Sequence, residues 1–269
     1  MFRARALSLC RASFVCVALL AVTGTARAQD TQAQPPPPAP EPVKLEESSE
    51  SHRTGFKALL KDTVGDFKHT FTDKVPLLWL AGGGVAAAAL HPIDDDVNAR
   101  LVGHDGFFKP GKVIGYGAVQ IGGAIGTWVI GRAVNKRGRA AHMGLDLLRA
   151  QIVTQSITYA LKDTVRRERP DGTSGFSFPS GHASTTFATA SVLERHFGWR
   201  GGIPTYILAT YVATSRLHEN RHFLSDVVFG AAVGMAAGRS VTRHGRSSFA
   251  LSPIVAPHGG YGLALTHLG

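Results

Sequence analysis

Thiols are nearly missing from this chain. Its two cysteines, Cys10 and Cys16, both fall within the first 28 residues, a stretch that reads as a removable export signal. Arg3 and Arg5 supply a basic start, Phe14 to Val22 an apolar centre, and Ala26-Arg27-Ala28 a small-residue cleavage site before Gln29. A chain starting after that site holds no thiol, which excludes disulfides, thiolate metal sites and cysteine nucleophiles together. Charge is also sparse, at 18% of residues, and acids are the scarcer sign: 19 Asp and Glu against 29 Lys and Arg, a net +10. The surplus suits an anionic partner, yet the bases are scattered and no stacking-aromatic pattern accompanies them, so nucleic acid is not expected. Long charge-free runs are few as well. Only residues 113–131 approach the ~20 apolar positions that cross a bilayer.

What is present sorts into four stretches: the signal (1–28), a tether (29–53), a helical domain (54–241) and a tail (242–269). The tether combines Pro35 to Pro38 and Pro40 with the acidic, serine-rich Glu46 to Ser51, too few apolar groups to offset ordering entropy. Phe56, Leu60, Val64, Phe67 and Phe71 then recur at helical spacing, with Lys57, Lys61, Asp62 and Lys68 elsewhere on the wheel. This amphipathic helix is expected to dock its apolar face on the core; lying in a membrane surface is the alternative. Six apolar, Gly- and Ala-rich segments follow, near 77–90, 113–131, 145–161, 183–197, 203–215 and 223–239. Alternation is absent and alanine abundant, so the fold class is all-α with six core helices. Gly122 with Gly126, and Gly230, Gly234 and Gly238, have the spacing that lets helices approach closely. Phe249 to Val255 and Tyr261 to Thr266 flank Pro257-His258-Gly259-Gly260, a pattern for a short C-terminal β-hairpin.

Three clusters carry chemistry. The first, Lys162-Asp-Thr-Val-Arg-Arg-Glu-Arg169-Pro170, reads as a basic helix end stopped by Pro170; alone it is equally an ordinary complement to the helix dipole. The second is Phe178-Pro179-Ser180-Gly181-His182 ahead of a helix. Unpaired N–H groups at that helix start, with the Ser180 hydroxyl, suit phosphate oxygens, though a simple cap has the same look. The third is Ser215-Arg216-Leu-His218-Glu-Asn-Arg-His222-Phe-Leu-Ser-Asp226. If its second half is helical, His222 and Asp226 share one face, and the carboxylate orients the imidazole while leaving its other nitrogen free to attack. His91 with Asp94, Asp95 and Asp96 has hard-metal ligand types, but an Asp- and Pro-rich loop between helices is commonplace.

Together, Lys-x6-Arg-Pro, Pro-Ser-Gly-His and Ser-Arg-x5-His-x3-Asp resemble the signature of the type 2 phosphatidic acid phosphatase and haloperoxidase superfamily, with every position filled. The resemblance implies the helical bundle of that superfamily and a phosphatase of phosphomonoesters, pyrophosphates or lipid phosphates. It implies His222 as nucleophile forming a phosphohistidine, Asp226 as its orienting carboxylate, and His182 as proton donor and then base. Lys162, Arg169, Ser180, Gly181 and Arg216 are implied to hold the phosphate oxygens. No metal and no other cofactor is implied. Two alternatives carry different chemistry: a vanadate-dependent haloperoxidase, and a phosphate-binding module without turnover, which would need neither imidazole. The expected location is exported and periplasmic, soluble or touching the membrane peripherally. An integral form is disfavoured because three crossings from an outside N-terminus would place Lys162 to His182 in the cytoplasm.

Overall fold

The computed structural model describes residues 54–103, 106–243, 248–255 and 261–268. The expected signal, tether and hairpin turn at 257–260 lie outside the described residues. In chain order the α-helices are α1 (Phe56–Thr72), α2 (Lys74–Leu90), α3 (Asp94–Leu101), α4 (Lys109–Ile114), α5 (Gly117–Val134), α6 (Arg139–Val165), α7 (Gly181–Phe197), α8 (Trp199–His218) and α9 (Leu224–Val241). The segments near 77–90, 145–161, 183–197, 203–215 and 223–239 correspond to α2, α6, α7, α8 and α9, whereas 113–131 is broken at 115–116 between the end of α4 and α5. The described chain nevertheless holds nine helices, because the N-terminal amphipathic segment is a full helix and two short ones, α3 and α4, link α2 to α5. The strands β1 (Ser248–Val255) and β2 (Tyr261–Leu268) pair antiparallel, with Ser248 opposite Leu268 and Val255 opposite Tyr261.

The bundle is arranged around α9, which packs against α7, α2 and α6, while α6 also packs on α5 and α7, and α7 on α8. Small side chains make this tight. A Cβ added to Gly234 would meet the Ser184 carbonyl oxygen at 2.2 Å, and one on Gly230 the Ser180 carbonyl oxygen at 2.5 Å. These glycines let α9 touch the backbone of α7, as their spacing predicts. Gly122 and Gly126 do not act this way: a Cβ on either meets nothing within 4 Å. The close approach of α5 to α6 is made instead at Gly131 and Gly144, where a Cβ would reach neighbouring backbone at 2.5 and 2.3 Å.

Helix α1 reverses the expected orientation. Phe56 and Val64 are 64% and 72% exposed, and Leu60 and Phe71 also face outward; only Phe67 of the apolar stripe packs on the core. The docked face is Ala58, Leu59, Thr63, Asp66 and Thr70. The reason is a buried cation on α6. Arg149 donates Nε and Nη2 to the two Asp66 oxygens, both at 2.7 Å, and Nη1 to Asp146 at 3.2 Å. Thr70 adds a hydroxyl bond to Ser240 on α9 at 2.8 Å. A guanidinium in the core demands a carboxylate more strongly than a phenyl ring demands burial, so the face that holds Asp66 turns inward while Lys57, Lys61 and Lys68 stay exposed.

The expectation that only 113–131 nears membrane-spanning length is also corrected. Among the described residues two helices are long and apolar enough to cross a membrane, Lys74–Leu101 and Leu224–Val241, or three if the bent pair Gly106–Ile114 and Gly117–Val134 is one span. The first continues beyond Leu90 through a 3-10 turn at His91–Ile93, and this continuity was hidden by Pro92 and the aspartates. The two differ in kind: α9 is largely enclosed by its neighbours, whereas the Lys74–Leu101 window is only 11% buried.

Two outcomes test this packing. Gly234→Ala is expected to lower stability by about 1–3 kcal/mol through overpacking, whereas Gly122→Ala, facing open space, is expected to raise it by up to about 1 kcal/mol through helix propensity; thermal unfolding of both variants reads the contrast. Asp66→Ala, which strands Arg149 in the core, is expected to cost about 3–5 kcal/mol, measured by denaturant unfolding against the wild type.

Candidate active site

The end of α6, the start of α7 and the turn before α9 meet at a cleft of about 360 Å³ lined by Lys162, Arg169, Gly181, His182 and His222, with Tyr116, Gln155, Tyr159 and Phe176 also in its lining. Lys162 stands in the last turn of α6. That helix ends at Val165, where Arg166 takes a left-handed conformation (φ 49°) and donates its N–H to the Lys162 carbonyl. The anticipated stop at Pro170 therefore comes too late; Pro170 lies in the following loop. The early end lets residues 167–177 fold back, with Ser177 N–H on the Arg167 carbonyl (2.8 Å) and Arg169 N–H on the Ser174 carbonyl (2.9 Å). Arg169 is thereby turned into the cleft.

Helix α7 starts at Gly181, with Ser180 as its extended N-cap. Its first N–H groups have no carbonyl within the helix, and they open on the cleft where Gly181 and His182 line it. Ser180 is fully buried, and its N–H donates to the Asp226 carbonyl at 2.9 Å. His182 Nε2 lies 3.0 Å from the Lys112 carbonyl of α4. A carbonyl only accepts, so Nε2 carries a proton and Nδ1 is the nitrogen left for exchange.

The third cluster departs from the helical expectation. Phe223 is the N-cap of α9 and His222 precedes the helix, so the pair does not share a helical face. Proximity survives because Asp226, in the first turn, points back: its Oδ2 accepts the Phe223 N–H at 2.9 Å and the Ser177 hydroxyl at 2.5 Å. His222 Nδ1 stands 3.7 Å from that oxygen, an electrostatic contact longer than a hydrogen bond. Arg216, buried near the end of α8, gives Nη1 to Glu219 at 2.9 Å. His218 is not in this cleft. It lines the neighbouring cavity with Gly103, Phe108 and Lys112, its Nδ1 toward the Leu101 carbonyl.

The electrostatics match a site for an anion. Burial holds His182 down at about 3, helped by the Arg216 cation, and His222 down at about 4, where burial and the Lys162 and Arg216 cations outweigh Asp226. Both imidazoles are neutral at ordinary pH. Burial and the adjacent Arg169 lower Lys162 to about 8. Several buried donors here have no hydrogen-bond partner among the described residues: Arg169 Nε, Arg216 Nε and the Ser180 hydroxyl. Each unpaired buried group costs about 1–3 kcal/mol; their concentration around one cleft marks where a ligand's oxygens would be received. Lys162 Nζ, by contrast, donates to the Phe176 carbonyl at 2.6 Å.

Sequence reasoning missed two residues behind the cleft, Asp94 and Arg167. Asp94 is buried and takes part in no metal cluster; among the described residues no group of three or more His, Cys, Asp or Glu side chains is placed to hold a metal ion. It is paired instead with Arg167, 73 residues away, and no local pattern announces such a partner.

Comparison with known proteins bears on the same segment. Residues 143–247 match the PAP2 superfamily. A lipid A 1-phosphatase of Porphyromonas gingivalis is 32% identical over 136 residues, covering 49% of this chain and 25% of that protein. A decaprenylphosphoryl-5-phosphoribose phosphatase of Mycobacterium tuberculosis is 35% identical over 99 residues, covering 33% of this chain and 54% of the relative. The chain thus spans between a quarter and about half the length of these relatives. A crystal structure of a transmembrane PAP2 type phosphatidylglycerolphosphate phosphatase from Bacillus subtilis aligns at 22% identity with a TM-score of 0.34, covering 70% of this chain and 94% of that one. The stretch from Lys162 to Asp226 lies wholly inside residues 143–247, the segment that matches the PAP2 superfamily.

Proposed function

We propose that this domain is a phosphatase that hydrolyses phosphate esters through His222 without a metal ion. The observation that carries the reading is the meeting, in one cleft, of two neutral imidazoles with Lys162, Arg169 and the start of α7, and with Arg216 close enough to depress both histidines. A phosphate needs such donors because charge on its three equatorial oxygens must be stabilised in the transition state. A binding module would have no use for two imidazoles held neutral.

In this mechanism Asp226 faces His222 Nδ1, so Nε2 attacks phosphorus. The P–N bond forms as the bond to the leaving oxygen breaks; His182, neutral in the empty cleft, takes the proton of a phosphate monoanion on Nδ1 and passes it to that oxygen, keeping Nε2–H on the Lys112 carbonyl. Water then attacks the phosphohistidine while His182 takes its proton; the P–N bond breaks and inorganic phosphate leaves. Lys162, Arg169, Arg216, the Ser180 hydroxyl and the Gly181 N–H hold the oxygens throughout. Basic side chains here do the work that a divalent cation would otherwise do.

A lipid phosphate is the substrate class best supported within this reading. The outward faces of α1, α2 and α5 carry exposed Phe56, Leu60, Val64, Leu78, Val85, Val129 and Ile130, more apolar surface than a water-soluble protein usually leaves uncovered. Contact with a bilayer would cover it, and the two curated relatives are named as phosphatases of lipid A and of decaprenylphosphoryl-5-phosphoribose. These features support a protein in or on a membrane, whereas the sequence favoured a soluble or peripherally attached domain over an integral one. The basic, apolar, small-residue order of residues 1–28 supports export.

Purified protein is expected to release phosphate from p-nitrophenyl phosphate, unaffected by a chelator, and His222→Ala to reduce turnover by roughly 10³-fold or more; retained turnover in that variant, or its loss with chelator, contradicts the mechanism. The pH profile of kcat/KM, corrected for the substrate's own ionisation, is expected to be bell-shaped. Protonation blocks the His222 lone pair, so activity falls as pH drops through about 4; loss of the Lys162 charge makes it fall again as pH rises through about 8. An acidic limb near the ordinary histidine value of 6.5 counts against the neutral, buried nucleophile.

A further inference from the structure

We infer that Arg167 and Asp94 are positioning residues for the nucleophile: a guanidinium held between two carboxylates fixes Asp226, and through it His222. The inference rests on the proposal that His222 attacks phosphorus. Neither residue lines the catalytic cleft. Both lie behind it, in a chain of contacts that starts on α3 and ends at the imidazole.

Asp226 is fully shielded from solvent and Asp94 nearly so, at 0% and 2% exposure. Arg167 joins them, giving Nη1 to Asp226 Oδ1 at 2.7 Å and Nη2 to Asp94 Oδ2 at 2.9 Å. Its plane lies over the Phe223 ring, 4.1 Å from the centroid, which removes its remaining freedom. Asp94 is itself fixed to the start of α9: its Oδ1 accepts the Ser225 N–H at 2.9 Å and its Oδ2 the Ser225 hydroxyl. The Ser225 hydroxyl also accepts from Arg167 Nη1 at 2.7 Å. Ser225, the residue before the nucleophile's carboxylate, is thus tied to a helix 131 positions earlier in the chain.

Charge explains why two carboxylates share one cation. The groups that face His222 are Asp226 from α9, Lys162 from α6, Arg216 from α8 and His182 from α7. An imidazole that attacks phosphorus becomes cationic, so it needs a carboxylate whose charge is not fully spent. Arg167 bound to Asp226 alone would cancel that charge. Because Asp94 takes the other half of the guanidinium, the trio keeps one net negative charge behind His222. Without Arg167, two buried carboxylates would repel one another, and one would take up a proton.

The test compares Asp94→Asn, Arg167→Lys and Arg167→Gln with His222→Ala in the full-length protein. Asp94→Asn is expected to lower kcat roughly 10- to 100-fold, the scale seen when groups that orient a reactive ligand from behind are removed, with KM within about 3-fold because no phosphate contact is lost. It should also shift the acidic limb of kcat/KM to lower pH, since the undivided Arg167 charge then disfavours protonated His222. Arg167→Lys, which keeps the cation, should recover part of the activity that Arg167→Gln loses. If His222→Ala is inactive while folded Asp94→Asn and Arg167→Gln keep wild-type kcat and an unmoved acidic limb, the positioning role is overturned and the phosphatase reading stands. If His222→Ala is active, the underlying mechanism fails instead. Should Asp94→Asn not fold, Arg167→Lys against Arg167→Gln decides alone: equal kcat and equal limbs overturn the inference.

Discussion

Everything at the cleft depends on how one shielded carboxylate is satisfied. Asp226 accepts from Arg167, Ser177 and the Phe223 N–H through its side chain, and its own carbonyl accepts the Ser180 N–H. Those bonds join the returning loop after α6, the turn that starts α7 and the first turn of α9. A buried carboxylate tolerates no missing partner, since an uncompensated charge at that depth costs several kcal/mol. The loop that carries Arg169, the start of α7 and the first turn of α9 are therefore held to a common point. The cations can then be placed against one another at a distance that repulsion alone would open.

The sequence displayed the candidate residues but not how they are held. Lys162, Arg169, Ser180, Gly181, His182, Arg216, His222 and Asp226 were recognisable because each belongs to a short string with fixed spacing. The reading that placed His222 and Asp226 on one helical turn was wrong in detail: the N-cap falls between them at Phe223. Pro170 was an attractive stop, yet a left-handed Arg166 ends α6 earlier, and nothing about an arginine signals that conformation. Asp94 was hidden for a different reason. It looked like one of three loop aspartates, and its partner Arg167 lies 73 residues on, inside a run of bases where it seemed interchangeable with its neighbours.

Helix α1 shows a second limit on periodicity. The apolar stripe was real, but the rule that the apolar face is the buried one assumes a core that wants only hydrocarbon. Here the core contains Arg149, and an ion pair with Asp66 settles which face turns inward. The stripe is left outside, together with much of α2 and α5, and a solvent as apolar as lipid is the surroundings in which that arrangement is least costly. The glycines divide in the same way. Those of α9 touch α7 because backbone is all that fits there, while Gly122 and Gly126 merely lower helix propensity on an open face.

The α7–α9 seam has a consequence for how such an enzyme can be altered. Where Gly230 meets the Ser180 backbone, the gap between α7, which carries His182, and α9, which follows His222, is set by main chain, not by any side chain that could be exchanged for a larger or smaller one. That wall is effectively incompressible. Variation in what the cleft accepts is then open to exchangeable side chains in its lining, Tyr116, Gln155, Tyr159 and Phe176. In the proposed phosphatase the seam stays fixed while those side chains are free to be reshaped around the group that carries phosphorus.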